Sequence, residues 1–136
     1  MSLNVEIEIR IPYAHTDLMS TVYYSHYLEY FERARVELLR KIGFPHKKLE
    51  ETGIHMAVTE AYCKYIKPLA YDDVIVIKPK IKEVGRASVL IEYEIINKDS
   101  KTLMSTGFTK LAFVSSELKA CAGPREMTER LKQEIQ

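Results

Sequence analysis

The sequence predicts an α+β fold in which a five-stranded antiparallel sheet packs on one long helix. Residues 24–42 carry an extended helical period, and five other segments read as strands. The last four strands follow one another through hairpin-like links, which favours antiparallel neighbours. With 46% hydrophobic residues in 136, the chain can build a single core, and one domain spanning 1–136 is expected.

Strand one is expected over 3–11, where Val5, Ile7, Ile9 and Ile11 alternate with Glu6, Glu8 and Arg10. A loop over 12–23 leads into the helix. Its apolar stripe is Tyr27, Phe31, Ala34, Leu38 and Ile42, in steps that fit 3.6 residues per turn. Glu29 with Arg33 and Glu37 with Lys41 form i,i+4 pairs on its outer faces. Gly43 and Pro45 stop it. Tyr24, Tyr30 and Val36 lie off the stripe, where they could meet a second subunit. A short helix over 46–52 ends at Gly53, and strands follow over 55–66, 73–84, 87–97 and 102–115. Pro79 is expected to interrupt the third of the five strands locally. Asn97–Lys101 forms a turn, and after Gly123-Pro124 a polar tail helix covers 125–135.

Several function classes are excluded by composition. Twenty basic and nineteen acidic residues give a net charge of +1, so a general affinity for nucleic acid or membranes is not expected. No apolar run approaches the ~20 residues of a membrane span. The opening MSLNVEIEIR has neither the basic nor the apolar region of a signal peptide. Cys63 and Cys121 lack metal-ligand spacing and read as reduced thiols in a cytoplasmic protein. His15, His26, His46 and His55 do not suggest a clustered zinc site, so no metal is expected.

The chemistry concentrates around Asp17. It lies in Pro12-Tyr-Ala-His-Thr-Asp17, between a strand and a helix that starts about seven residues later. A carboxylate there can face the helix N-terminus, whose free backbone N–H groups can hold a developing oxyanion. One acid opposite one oxyanion hole is sufficient equipment for acyl transfer.

Three segments resemble the hotdog-fold thioesterases, in the branch of 4-hydroxybenzoyl-CoA thioesterase and similar acyl-CoA thioesterases. The most specific combines Tyr13-Ala-His-Thr-Asp17, Val22-Tyr-Tyr-Ser-His-Tyr-Leu28 and Phe31-Glu-Arg-Ala-Arg35, like the family's aspartate loop and central helix. Tyr65-Ile-Lys-Pro-Leu-Ala-Tyr-Asp-Asp73 and Ile81-Lys-Glu-Val-Gly-Arg-Ala-Ser88 support it. The chain departs from the pattern at Ser20, where many members have glycine. It also departs at Tyr24, often histidine, and at His26, often asparagine.

The resemblance implies a five-stranded antiparallel sheet wrapped around the central helix. It further implies a homodimer or homotetramer whose active sites are each formed by two subunits. The expected reaction is hydrolysis of an acyl-CoA substrate to coenzyme A and a carboxylic acid, with no separate cofactor. Asp17 would be the nucleophile or general base, and the backbone N–H of Tyr24 the oxyanion donor. Arg86 and Ser88 would hold the phosphates and pantetheine arm of coenzyme A.

Other residues weigh less. His26, in the first helical turn, could donate to substrate or to Asp17; His15 is expected to point away from it. Glu60 is a candidate second carboxylate, and Tyr62, Tyr65 and Tyr71 read as packing residues. Alternatives are a hotdog hydratase or dehydratase, whose histidine–carboxylate motif is not found, and a non-catalytic acyl-CoA-binding or sensing domain.

Overall fold

The computed structural model describes residues 4–135. The order is β1 (Ile7–Arg10), a 3-10 turn at Tyr13–His15, α1 (Ser25–Lys41), α2 (His46–Glu51), β2 (Ile54–Tyr65), β3 (Val74–Val84), β4 (Ser88–Asn97), β5 (Leu103–Ser115) and α3 (Arg125–Gln133). Residue 3, the expected start of the first strand, lies outside the described residues. Within them β1 is shorter than expected, because only residues 7–10 pair with β3 and the chain then turns at Pro12. The sheet order is β1-β3-β4-β5-β2, and every neighbouring pair is antiparallel. Both edges are therefore formed by strands that come early in the chain, and β2 is one of them.

The inner face of α1 is Tyr27, Tyr30, Phe31, Ala34, Leu38 and Leu39, all buried. This is the expected stripe with one change: Tyr30 is wholly buried and does not face outward toward a second subunit. At the other end, Gly43 takes φ 91°, a left-handed conformation open to glycine, and the Phe44 N–H caps the carbonyl of Leu39 at 2.9 Å.

The distance between helix and sheet is set at one point. The Phe31 ring stacks on Tyr93 of β4, with centroids 4.5 Å apart and planes 8° apart. It also lies over Gly107 of β5. A Cβ at 107 would collide with the Tyr62 carbonyl and come within 2.5 Å of Phe31 Cε2. Beyond this contact the Tyr93 hydroxyl bonds Thr109 Oγ1 at 2.6 Å, which satisfies two polar groups inside the core.

Two expectations are corrected. β3 runs through Pro79 without a break, Pro79 pairing in register with Tyr93, and the irregularity falls between Ile81 and Glu83. β1 covers only residues 74–77 of β3, so at 79 that side of β3 has no ladder that needs a donor. The tail helix is also not simply polar: Met127 and Leu131, four residues apart on α3, are fully buried. Their spacing puts both on one face, which closes the core.

β2 is the most open strand. Val58, Tyr62 and Tyr65 are each about half exposed in the single chain, where Tyr62 stacks on Phe108 and Tyr65 packs edge-on against Tyr27. A bulge sits between Val58 and Glu60, where the Thr59 hydroxyl donates to the Lys110 carbonyl at 3.1 Å.

Gly107→Ala is expected to lower unfolding stability by about 1–3 kcal/mol through overpacking. Phe31→Ala is expected to cost about 3–5 kcal/mol by leaving a cavity. Denaturant titration reads both, and a neutral Gly107→Ala would contradict the close contact described here.

Candidate active site

The loop that carries Asp17 is a small hairpin closed by the backbone. Thr16 and Val22 form an antiparallel bridge, the Asp17 N–H donates to the Thr21 carbonyl at 2.9 Å, and the Ser20 N–H returns to the Asp17 carbonyl at 3.0 Å. Ser20 sits at φ 63°, the left-handed conformation that explains why glycine suits this position. The hairpin is fastened at both flanks. The Val22 N–H donates to Leu69 and the Tyr71 N–H to Ser20, which ties it to the link before β3. The Tyr23 N–H donates to His15 at 2.9 Å and closes its neck.

Asp17 is exposed at this hairpin. Its Oδ1 accepts from the Met19 N–H at 2.8 Å and the Thr21 hydroxyl at 3.4 Å, an Asx-type turn. Oδ2 accepts nothing among the described residues, so one carboxylate oxygen is anchored and the other is open. Leu18 and Met19, at the tip, stand in solvent almost without cover.

Tyr24 stands at the start of α1, already helical at φ −55° and ψ −32°. No side chain caps this terminus, and its first turn contains no acidic residue. The Tyr24 N–H finds no acceptor among the described residues, whereas the Tyr24 carbonyl takes the Tyr27 N–H and the Tyr65 hydroxyl, both at 3.3 Å. An uncapped helix start keeps its positive end and its donors available. Asp17 and Tyr24 are thus the two ends of a single fastened loop.

His26 lies in the first turn of α1. Its Nδ1 meets Glu29 Oε2 at 3.0 Å, and Arg33 holds Glu29 Oε1 at 3.0 Å. His15 joins this group. The 3-10 turn swings it onto His26, with ring centroids 4.0 Å apart and planes 10° apart, and its Nδ1 reaches the buried Tyr30 hydroxyl at 2.8 Å. His15, His26 and Glu29 therefore cluster, with one ligand-type atom from each within 4.8 Å of the others, whereas His46 pairs with Glu50 on α2. The i,i+3 spacing of His26 and Glu29 is readable in the sequence; the approach of His15 depends on a three-residue turn that no periodicity announces.

Charge in this cluster is biased by its surroundings. Burial pushes His15 below its ordinary value, and the neighbouring His26 and Arg33 act in the same sense against an opposing Glu29. The His26 hydrogen bond, with Arg33, holds Glu29 below the usual carboxylate range despite some burial. Burial lifts the Tyr30 phenol to about 12, so it stays protonated beside His15.

The remaining candidates lie elsewhere in the chain. Glu60 is exposed midway along β2. Arg86 and Ser88 form the tight link between β3 and β4, where the Gly85 N–H donates to the Ser88 carbonyl at 2.7 Å. The Asp17 hairpin is tied to the Val74 end of β3 and Arg86 follows its Val84 end. The length of β3, roughly 30 Å at about 3.3 Å per residue, separates them. Asp17, Tyr24 and His26 belong to one loop and the helix start that it leads into, whereas Arg86 and Ser88 of the same chain lie at the far end of β3.

The model of the thioesterase-like superfamily matches residues 11–131. The chain belongs to this family. It is similar to the acyl-CoA thioesterase YbgC of Haemophilus influenzae, 31% identical over 88% of each chain. Among solved structures, the DHNA-CoA thioesterase of Staphylococcus aureus is 30% identical with a TM-score of 0.83, covering 88% of this chain and 80% of that one. A hypothetical protein from Aquifex aeolicus is 33% identical with a TM-score of 0.86, covering 93% and 98%. The fold is the hotdog fold of these thioesterases, and membership makes the chain a thioester hydrolase. No helix among the described residues is long and apolar enough to cross a membrane.

The sign of the His15 effect gives a stability prediction. The unfolded chain takes up a proton at His15 as pH falls below about 6.5, before the folded chain does, so acidification from about pH 7 to 5 weakens the fold. The contribution of Glu29 is lost lower, in the carboxylate range. Urea midpoints measured across this window should fall in the parent and fall less steeply in His15→Asn. Parallel slopes would contradict the assignment.

Proposed function

We propose that the chain hydrolyses acyl-CoA thioesters, with the thioester carbonyl seated between the open Oδ2 of Asp17 and the unpaired N–H of Tyr24. The observation that carries this reading is the coexistence of those two unsatisfied groups at the ends of one fastened loop. As the carbonyl carbon becomes tetrahedral, its oxygen gains negative charge and draws closer to the helix start, where a donor is worth about 3 kcal/mol in the transition state. Asp17 supplies the other half in one of two ways. It attacks the carbon, expels coenzyme A thiolate and leaves a mixed anhydride that water opens. Otherwise it takes a proton from a water that attacks directly, the thiolate then being protonated on departure. Either route yields a carboxylic acid and free coenzyme A. His26 borders this space from the first turn of α1 and serves substrate contact.

A second copy of the chain completes the site in this reading. β2 is an open edge, and between it and α1 runs a groove of about 270 Å³ lined in part by Leu28, Val58, Ala61 and Thr109. An antiparallel pairing of β2 with the partner's β2 about a two-fold axis extends the sheet and covers that apolar face. The same axis reverses the direction of the sheet. It therefore carries the partner's β3–β4 link, with its arginine and serine, toward the end that holds Asp17. Arg86 and Ser88 then bind coenzyme A phosphate and pantetheine across the interface, and Glu60 lies near the join. The nearly bare Leu18 and Met19 are covered by substrate or by the partner.

Thiol release from short, long and aromatic acyl-CoA substrates tests the reaction. Asp17→Asn should lower turnover at least about 10³-fold while leaving the fold and coenzyme A binding intact. Undiminished turnover would reject Asp17, and a parent protein that binds without releasing thiol would be a sensor. Light scattering should show two or four chains per particle. A monomer would contradict the shared site.

A further inference from the structure

We propose that His15, His26 and Glu29 form a site for a divalent cation of the zinc class, which clamps the neck of the Asp17 hairpin to the first turn of α1. Imidazole nitrogens with one carboxylate oxygen are a donor set that suits zinc, cobalt and nickel, and three protein ligands leave a fourth position for water. Their ligand-type atoms already lie within 4.8 Å of one another. A tetrahedral ion with bonds of about 2.1 Å spaces its donors by roughly 3.4 Å and lies in the plane of each imidazole, so binding turns the His15 and His26 rings, now within 10° of parallel, out of their stack until both nitrogens converge. His26 and Glu29, three residues apart on α1, share one helix face and move little to chelate together.

The surroundings have the form of a support shell. His15 Nδ1 is held by the Tyr30 hydroxyl at 2.8 Å, which leaves Nε2 for the ion. Arg33 holds Glu29 Oε1 at 3.0 Å, so the oxygen offered to the ion is Oε2, which gives up its 3.0 Å contact with His26 Nδ1. Metal-binding side chains are commonly fixed in this way through their second atom.

Position gives the site its consequence. His15 lies two residues before Asp17 and His26 two residues after Tyr24, so one ion joins both flanks of the loop. The Tyr23 N–H to His15 carbonyl bond, at 2.9 Å, already closes the same neck. A bound ion fixes the angle at which the hairpin leaves the helix. Binding itself does not depend on the thioesterase reading; only its effect on hydrolysis does.

Cobalt titration of the full chain at neutral pH, followed by visible absorption and calorimetry, is the test. One ion per chain is expected, with the ligand-field bands of a four- or five-coordinate nitrogen and oxygen site. His15→Asn and Glu29→Gln should each weaken it about tenfold or more. His46→Asn should not, although His46 Nε2 also meets a carboxylate, Glu50 Oε1, at 3.0 Å. Circular dichroism confirms that each variant is folded. Absence of saturation at millimolar cobalt, or binding that survives both cluster substitutions and fails in His46→Asn, would overturn the proposal, whatever the outcome of the thiol-release assay.

Discussion

The contact of Phe31 with residue 107 is the constraint from which the rest follows. Because residue 107 has no side chain, the ring can lie directly on β5 and stack on Tyr93 of β4. That close approach fixes how deep α1 sits in the curve of the sheet, and hence where its first turn emerges. The first turn emerges uncapped, beside the hairpin that carries Asp17. A helix held further off would shift the Tyr24 N–H away from that hairpin. The helix start is thus positioned by apolar packing as well as by the backbone bonds of the hairpin.

The hairpin illustrates a division of labour inside one carboxylate. Oδ1 is used structurally, in the turn with Met19 and Thr21, and this use restricts where Oδ2 can point. The turn is in turn held by backbone bonds to Leu69, Tyr71 and His15. A rigidly placed group needs less reorganisation during reaction than a mobile one. Asp17 is exposed in the single chain, as are the tip residues Leu18 and Met19, and β2 is an open edge of the sheet.

The legible parts of the sequence were those governed by local periodicity. The stripe of α1, the alternation of the strands, the stop at Gly43 and the turn at Asn97–Lys101 each depend on neighbours in the chain. What was not legible depends on distant partners. Tyr30 sits off the main stripe yet is buried, because the 3-10 turn brings His15 over it. Met127 and Leu131 are too few to mark an apolar face by pattern, and they bury because β3 offers a surface to α3. Pro79 reads as an interruption only until the shortness of β1 is known. At the site, Asp17 and Tyr24 were readable together because one loop joins them. Arg86 was placed beside them by resemblance, and its distance within one chain follows from strand order, which no local signal carries.

The central claim is that each active site takes Asp17 from one chain and Arg86 from another. Mixing Asp17→Asn with Arg86→Ala subunits, after unfolding and joint refolding, tests it most directly through thiol release from an acyl-CoA substrate. Random reassembly regenerates an intact site in each mixed dimer, so activity should return to roughly a quarter of the parent level. Activity no higher than the average of the two separate variants would contradict a shared site.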